Sequence, residues 1–325
     1  MGWLRRWRSR GREAPDSWAA VRPRLLPVLR GVTMPAGHPS MRPPLRRQAM
    51  PFLAEMVVID QPSSMIYIGA ERLRTWGVTA DEVFAAARKN LAARVRHPSG
   101  PPPDGPVMLR FVDDGDAYWT SCLLLDGWLA TLADRVDGRP VAFAPDRSSL
   151  IVVADRSEAL ESLFEMVESD YLHEPRAISP MAYVSDDNGR TVPYDAPPGH
   201  PLHHWVRRAE RILGAREYAH QRAILSGRYA GAELVELALS TPSDRSIFTT
   251  ATWPRARSVL LPRADFIAFV SDTDAPFVVP WPEAVEHALL RPMGGLEPAR
   301  YRVDDWPAEP ALATLRGVAI PGLHP

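Results

Sequence analysis

A fifteen-residue pattern occurs twice in this chain of 325 residues, and it constrains the fold more than any other feature. Val141-Ala-Phe-Ala-Pro145-Asp-Arg-Ser-Ser-Leu150-Ile-Val-Val-Ala-Asp155 aligns without a gap on Ser258-Val-Leu-Leu-Pro262-Arg-Ala-Asp-Phe-Ile267-Ala-Phe-Val-Ser-Asp272. Each copy reads as an apolar strand, a proline that ends it, a polar corner, a second apolar strand and a closing Asp. A recurring supersecondary unit implies two related halves. Chain length agrees, because a single hydrophobic core seldom grows to this size.

The elements around the repeat are short and turn-rich, with 34 prolines and 20 glycines. Glu55–Asp60 and Met65–Ile68 flank Gln61-Pro-Ser-Ser64 and predict a β-hairpin. Met181–Val184 and Thr191–Tyr194 flank Asn188-Gly189, whose residues tolerate the positive φ of a tight hairpin turn. Val107–Val112 and Tyr118–Leu125 read as another hairpin, and Ala232–Leu239 with Ile247–Trp253 as a fourth. Thr79-Ala-Asp-Glu82 is a capping box opening a helix to about Val95, and Asp155-Arg-Ser-Glu158 looks like a second. Leu160, Leu163, Phe164 and Val167 form a helical stripe, and Leu202–Leu225 a longer one. Phe277–Val279 reads as a further strand, and Pro282 suits the first turn of a helix that follows. The last thirty residues read as a wrapping tail. Frequent tight hairpins among helices predict an α+β fold with mostly antiparallel sheets rather than a doubly wound parallel one. The expected division is a basic flexible arm over 1–49, an α+β domain over 50–195, and a second α+β half over 196–325, a diverged repeat of the first.

Charge is unevenly spread. Residues 1–49 hold eleven arginines against Glu13 and Asp16, a balance of +9 in a chain whose total is −1. An acidic body argues against nucleic-acid binding by that body. The arm carries Trp3 and Trp7 one helical turn apart among arginines. It is either a solvated tail or a weak contact for an anionic membrane or acidic partner. Lys89 is the only lysine, which removes most routes to a catalytic amine. Cys122 is the only cysteine, so an intramolecular disulfide and a cysteine zinc site are excluded. No secretory h-region and no apolar stretch of about 20 residues is present, and a cytoplasmic location is expected.

The order of elements over residues about 55–185 resembles an uncharacterised bacterial family, the YtpQ-like proteins. The residues that carry the likeness are Val57-Val-Ile-Asp60 with Pro62-Ser-Ser, Trp76-Gly-Val-Thr79, Ala87-Arg-Lys-Asn90-Leu91, Ser121 with Leu123-Leu-Leu125, and the Pro145-Asp-Arg147 corner. The resemblance implies no activity and supplies no catalytic residues. The basic arm and the large C-terminal half depart from it.

Candidate chemistry is sparse. Acidic turns follow several strands, at Asp113-Asp-Gly-Asp116, Asp186-Asp187, Asp272-Thr-Asp274 and Asp304-Asp305. They would either converge on a hard cation or simply bond their own backbone, as turn Asp does. His200, His203 and His204 cluster at a helix start, but neighbours on a helix diverge by about 100° and cannot easily share an ion. Cys122 precedes three leucines and reads as a core thiol. Arg147 and Arg263 with Asp146 and Asp265 mark the repeat corners. Candidate ligand-binding residues are therefore Asp113, Asp116, Arg147, Asp265 and Asp272, with no metal site and no cofactor expected. Nucleophile-elbow, phosphate-loop, dinucleotide and Cys-x-x-Cys motifs are missing. The first functional expectation is a non-enzymatic module binding an unknown protein partner, motivated by Trp119, Trp205, Trp253, Trp281 and Trp306 as exposed aromatics. The alternative is an enzyme or ligand-binding protein whose site combines acidic turns and arginines between the two halves.

Overall fold

The computed structural model describes residues 17–33, 43–62, 64–95, 107–112, 118–229, 231–241 and 247–323. The chain starts with a one-turn helix, α1 (Trp18–Val21), capped by the Ser17 hydroxyl, which accepts from Ala20 N. Strands β1 (Leu25–Gly31), β2 (Arg46–Met50), β3 (Leu53–Gln61) and β4 (Ser64–Tyr67) form an antiparallel sheet. β1 covers one edge of β3 from Leu25↔Ile59 to Gly31↔Leu53, while β2 and β4 share the other edge end to end. The expected arm is corrected here: Leu25, Leu26, Val28 and Leu29 are wholly buried. Pro27 fits because β1 has a free edge, where a missing N–H costs no ladder bond.

Helix α2 (Glu71–Trp76) stops at Gly77, whose φ of 67° suits glycine. In α3 (Ala80–Arg94) the capping box forms as predicted: Glu82 N donates to Thr79 Oγ1 at 3.3 Å, and Thr79 N to Glu82 Oε2 at 2.8 Å. Val83, Phe84 and Ala87 pack on β1 and β3 around Trp76 and Val21.

A second antiparallel sheet is built from β5 (Leu109–Val112), β6 (Pro140–Phe143), β7 (Ser149–Ala154), β8 (Ala182–Ser185) and β9 (Thr191–Pro193), in the order β5-β7-β6-β8-β9. The β8–β9 hairpin turns at Gly189 with φ 78°, and Asp186 Oδ1 accepts from Asn188 N and Arg190 N. The hairpin expected from 107–112 and 118–125 does not form. β5 pairs with β7, and Trp119–Leu124 is a 3-10 helix with Ser121 N bonded to Tyr118 O. Thr120 through Leu124 are all buried, so the segment shows no alternation, and a short apolar run fits either conformation. Between β5 and β6 lies α4 (Ala133–Val136). The second capping box is also absent. α5 (Leu160–His173) begins later, after Ser157 Oγ accepts from Ala159 N.

The remaining chain begins with α6 (His203–Leu225), then β10 (Glu233–Leu234), β11 (Leu237–Ser240), β12 (Phe248–Pro254), β13 (Val259–Pro262), β14 (Phe266–Val270), β15 (Phe277–Pro280), α7 (Trp281–His287), β16 (Arg300–Val303) and α8 (Glu309–Gly317). Two sheets result, β11-β12-β14-β15 and β10-β13-β16, with parallel pairing only at β10–β13 and β12–β14. The fold is thus mixed α+β with mostly antiparallel sheets. The last thirty residues are more than a tail, since β16 pairs with β13 and Leu312 and Leu315 of α8 are core.

The two repeat copies give the same element order but different pairing. β6 and β7 are hydrogen-bonded neighbours in one sheet, whereas β13 and β14 lie in separate sheets. The same corner closes a hairpin in the first copy and passes between sheets in the second. α6 serves two cores. Trp205, Val206, Ala209, Ile212 and Leu213 pack with the five-stranded sheet, and Tyr218 packs with the C-terminal strands.

Candidate functional site

Arg147 of the first repeat corner faces a cavity of about 240 Å³ that it shares with Arg30 and Arg176. Three separate segments deliver these arginines. Arg30 is at the end of β1, behind the apolar run that buries that strand. Arg147 lies in the β6–β7 corner, where Asp146 Oδ1 accepts from Ser148 N and fixes the turn. Arg176 is on the ribbon after α5. Arg147 N donates to Arg176 O at 3.2 Å, and Ile178 N donates to Pro145 O at 2.9 Å, so corner and ribbon run side by side. The 3-10 helix adds Thr120 and Ser121, and β4 adds Met65.

The electrostatics are unusual. Arg30 is only 4% exposed. Its guanidinium donates to Leu29 O at 2.7 Å and to the Tyr67 hydroxyl at 3.0 Å, and lies 3.8 Å from Met65 Sδ. None of these partners carries a charge, although a buried charge is ordinarily paired. Burial holds the Arg147 guanidinium below its ordinary value, and the positive charges of Arg30 and Arg176 act in the same direction. The described acids beside the cavity are engaged elsewhere: Asp146 accepts from Ser148 N and Oγ, and Asp60 accepts from the Tyr118 hydroxyl at 2.7 Å and pairs with Arg94 at 2.8 Å. No carboxylate stands among the described lining residues. Thr120 and Ser121, exposed by 2% and 1%, are hydroxyl-bearing residues of the same wall.

Two other buried charges are better supplied with partners. Glu55, wholly buried, is held by Arg47 and by two bonds from Arg88. Arg300, also wholly buried, has neutral partners too but more strong acceptors, donating to Gln221 Oε1, Val235 O and Leu260 O at 2.6–2.9 Å. Arg30 has one carbonyl, one hydroxyl and, among the described residues, no acid.

The remaining candidates scatter. Asp265 lines a separate groove, pairing with Arg211 at 2.9 Å and accepting from Thr249 N and Oγ1. Asp272 is exposed and lines neither cavity. Asp113 and Asp116 lie outside the described residues, as do the Trp3–Trp7 segment, the proline-rich loop over 97–106 and the turn residues 242–245. The described acidic turns bond their own backbone and neighbouring segments. Asp274 accepts from Ser271 Oγ and pairs with Arg255, and Asp305 accepts from Ala256 N and Trp306 N. Of the five residues expected to form the site, Arg147 lines this cavity, Asp265 lines the other groove and Asp272 lines neither. Among the described residues no group of three or more His, Cys, Asp or Glu is placed to hold a metal ion. His203 Nδ1 bonds Ala196 O at 2.6 Å, and His200 Nδ1 accepts from Leu202 N, so both are engaged with backbone before α6. Burial pushes the Cys122 thiol up to about 12, which suits a core residue rather than a nucleophile.

The aromatic surface expected for a protein partner is also corrected. Trp205, Trp253, Trp281 and Trp306 are each at most 8% exposed, and Trp119 is half-buried against Phe111. Sequence reading missed Arg30, Arg176, Thr120 and Ser121. Arg30 was hidden by the basic composition around it; the apolar run Leu25–Leu29 just before it was the available signal.

No family model, curated protein or solved structure matches this chain. Among the described residues no helix is long and apolar enough to cross a membrane.

Proposed function

We propose that this protein binds a small molecule bearing an oxyanion, a phosphate or sulfate group, in the cavity of Arg30, Arg147 and Arg176. The observation that carries this reading is Arg30, a buried cation whose described partners are all neutral, lining a cavity with two further arginines and no described carboxylate. An oxyanion would supply the missing counter-charge. It would accept forked bonds from guanidinium groups, and the Thr120 and Ser121 hydroxyls could donate to its remaining oxygens. The reading is one of binding: the Ser148 hydroxyl has a carboxylate beside it, Asp146, but that carboxylate also holds the corner through Ser148 N. Kinship with the YtpQ-like proteins over residues about 55–185 belongs to the same proposal; Arg147 and Ser121 lie within that stretch.

The test is isothermal titration with inorganic phosphate, pyrophosphate and glycerol 3-phosphate at fixed ionic strength, with chloride as the control. Saturable binding by at least one is expected. Arg176→Gln changes an exposed side chain, so the fold should survive. It should weaken binding about ten- to a hundredfold, the loss of one charge-assisted bond of ~1.5–3 kcal/mol. No saturable heat from any of the three, or equal binding by Arg176→Gln, would refute the assignment.

A further inference from the structure

A second cavity, of about 720 Å³, shares no lining residue with the arginine cavity. It lies against the middle turns of α6, with the β2–β3 turn, the second repeat corner and the segment before β16 as its other walls. Its size falls in the range of ligand sites, ~300–1,000 Å³.

Two edge-to-face aromatic pairs shape it. Trp281 and Tyr301 have ring centroids 4.9 Å apart at 72°, and Phe52 and Tyr218 6.3 Å apart at 73°. These rings are held in place. The Tyr218 hydroxyl donates to Ala299 O at 2.7 Å and accepts from Arg263 N at 3.1 Å. Phe52 has φ 62°, a left-handed conformation that a bulky residue adopts only under constraint. Its ring also approaches α6 at Gly214, where an added Cβ would stand 3.0 Å from Phe52 Cζ. A strained aromatic set against a glycine on a cavity wall is costly for packing alone, and such outliers cluster at ligand sites.

The charges in the groove are unequal in availability. Arg207 is paired with Glu210 at 2.5 Å, and Arg211 with Asp265 at 2.9 Å. Arg263 has no acidic partner among the described residues, and its positive charge acts on the Tyr218 phenol, opposing the rise that burial imposes there. That places one available cation beside the aromatic wall. Glu297, the other charge without a described partner, is exposed at the rim.

We infer that this groove binds a planar aromatic molecule carrying one carboxylate, with the ring between the two aromatic pairs and the acid on Arg263. Ring–ring contacts contribute ~0.5–1.5 kcal/mol each beyond burial. The single available guanidinium selects the acid over its neutral isostere and disfavours multiply charged anions.

Three bicyclic probes of similar size test this by titration calorimetry and thermal shift: indole-3-acetate, its neutral amide indole-3-acetamide, and the non-aromatic decahydronaphthalen-1-ylacetate. Indole-3-acetate should bind saturably, and the other two at least tenfold more weakly. Arg263→Gln keeps the backbone N–H that bonds Tyr218, so the ligand-free melting temperature should hold. Its affinity for the acid should fall to that of the amide. Arg176→Gln, in the other cavity, should bind indole-3-acetate as the wild type does. Acid and amide binding equally, Arg263→Gln binding unchanged, or no saturable binding would each overturn the inference. None of these results depends on whether the arginine cavity takes phosphate.

Discussion

Arg300→Lys is the substitution whose effect the structure defines most closely. Arg300 lies in β16 with no exposed surface, and its guanidinium reaches α6, β13 and the residue after β10 at once. Nε donates to Gln221 Oε1 at 2.6 Å, and Nη1 to Val235 O at 2.8 Å and to Leu260 O at 2.9 Å. Lysine keeps the buried charge, so the desolvation cost largely cancels between the two proteins. What differs is geometry: a fork with several donors becomes a single ammonium on a narrower stem. That ammonium can reach one or two of the three strong acceptors, leaving at least one buried acceptor without a donor. Each bond to a charged group contributes ~1.5–3 kcal/mol, and the orphaned acceptor adds its own desolvation cost. The expected loss is ~2–5 kcal/mol, against a total stability of order 5–15 kcal/mol for a folded domain. Urea unfolding followed by tryptophan fluorescence should show a lower midpoint with an unchanged slope. A shift under ~1 kcal/mol would refute the reasoning, because it would mean that the fork does no more than a point charge.

Two further outcomes follow from buried groups near α6. Burial holds the Glu217 carboxyl above its ordinary value of 4.5, even though Thr33 N and Oγ1 each donate to it at 2.7 Å. The folded state therefore binds this proton more tightly than the unfolded chain does. That contribution to stability is complete below 4.5 and is lost as pH rises through the folded value. Glu217→Gln mimics the protonated form, so its melting temperature should gain on the wild type as pH rises from acid to neutral; parallel curves would contradict this. Gly214→Ala should forgo the gain of ~0.5–1 kcal/mol that alanine usually brings to a helix interior, because its Cβ meets Phe52. In a Phe52→Leu background the gain should return, and a double-mutant unfolding cycle measures the difference.

What could be read from the sequence was local. The Asn188-Gly189 turn, the Thr79–Glu82 box and the α6 stripe are set by residues a few positions apart, and each is found where expected. What failed was non-local. β1 looked like part of an arginine-rich arm because its partner, β3, begins more than twenty residues later. The 119–124 segment looked like a strand because burial on all sides erases the difference between periods. The duplicated pattern specifies strand, corner and strand, but which edge each strand finds depends on the rest of the chain. The candidate site was half legible for the same reason: Arg147 stood out at a repeat corner, while Arg30 and Arg176 join it only through folding.

The position of α6 bears on how this chain can be divided. The Pro/Gly-rich joint at 195–201 looks like a place to cut. A fragment ending there would lack Trp205, Val206, Ala209, Ile212 and Leu213, and its five-stranded sheet would expose the face they cover. The complementary fragment would begin with a helix whose first turns have lost their sheet. Neither piece should be prepared as an autonomous folding unit. A dissection that keeps the whole helix with the N-terminal portion would leave the C-terminal strands without Tyr218. Limited proteolysis at the joint should therefore yield two fragments that stay associated until denatured.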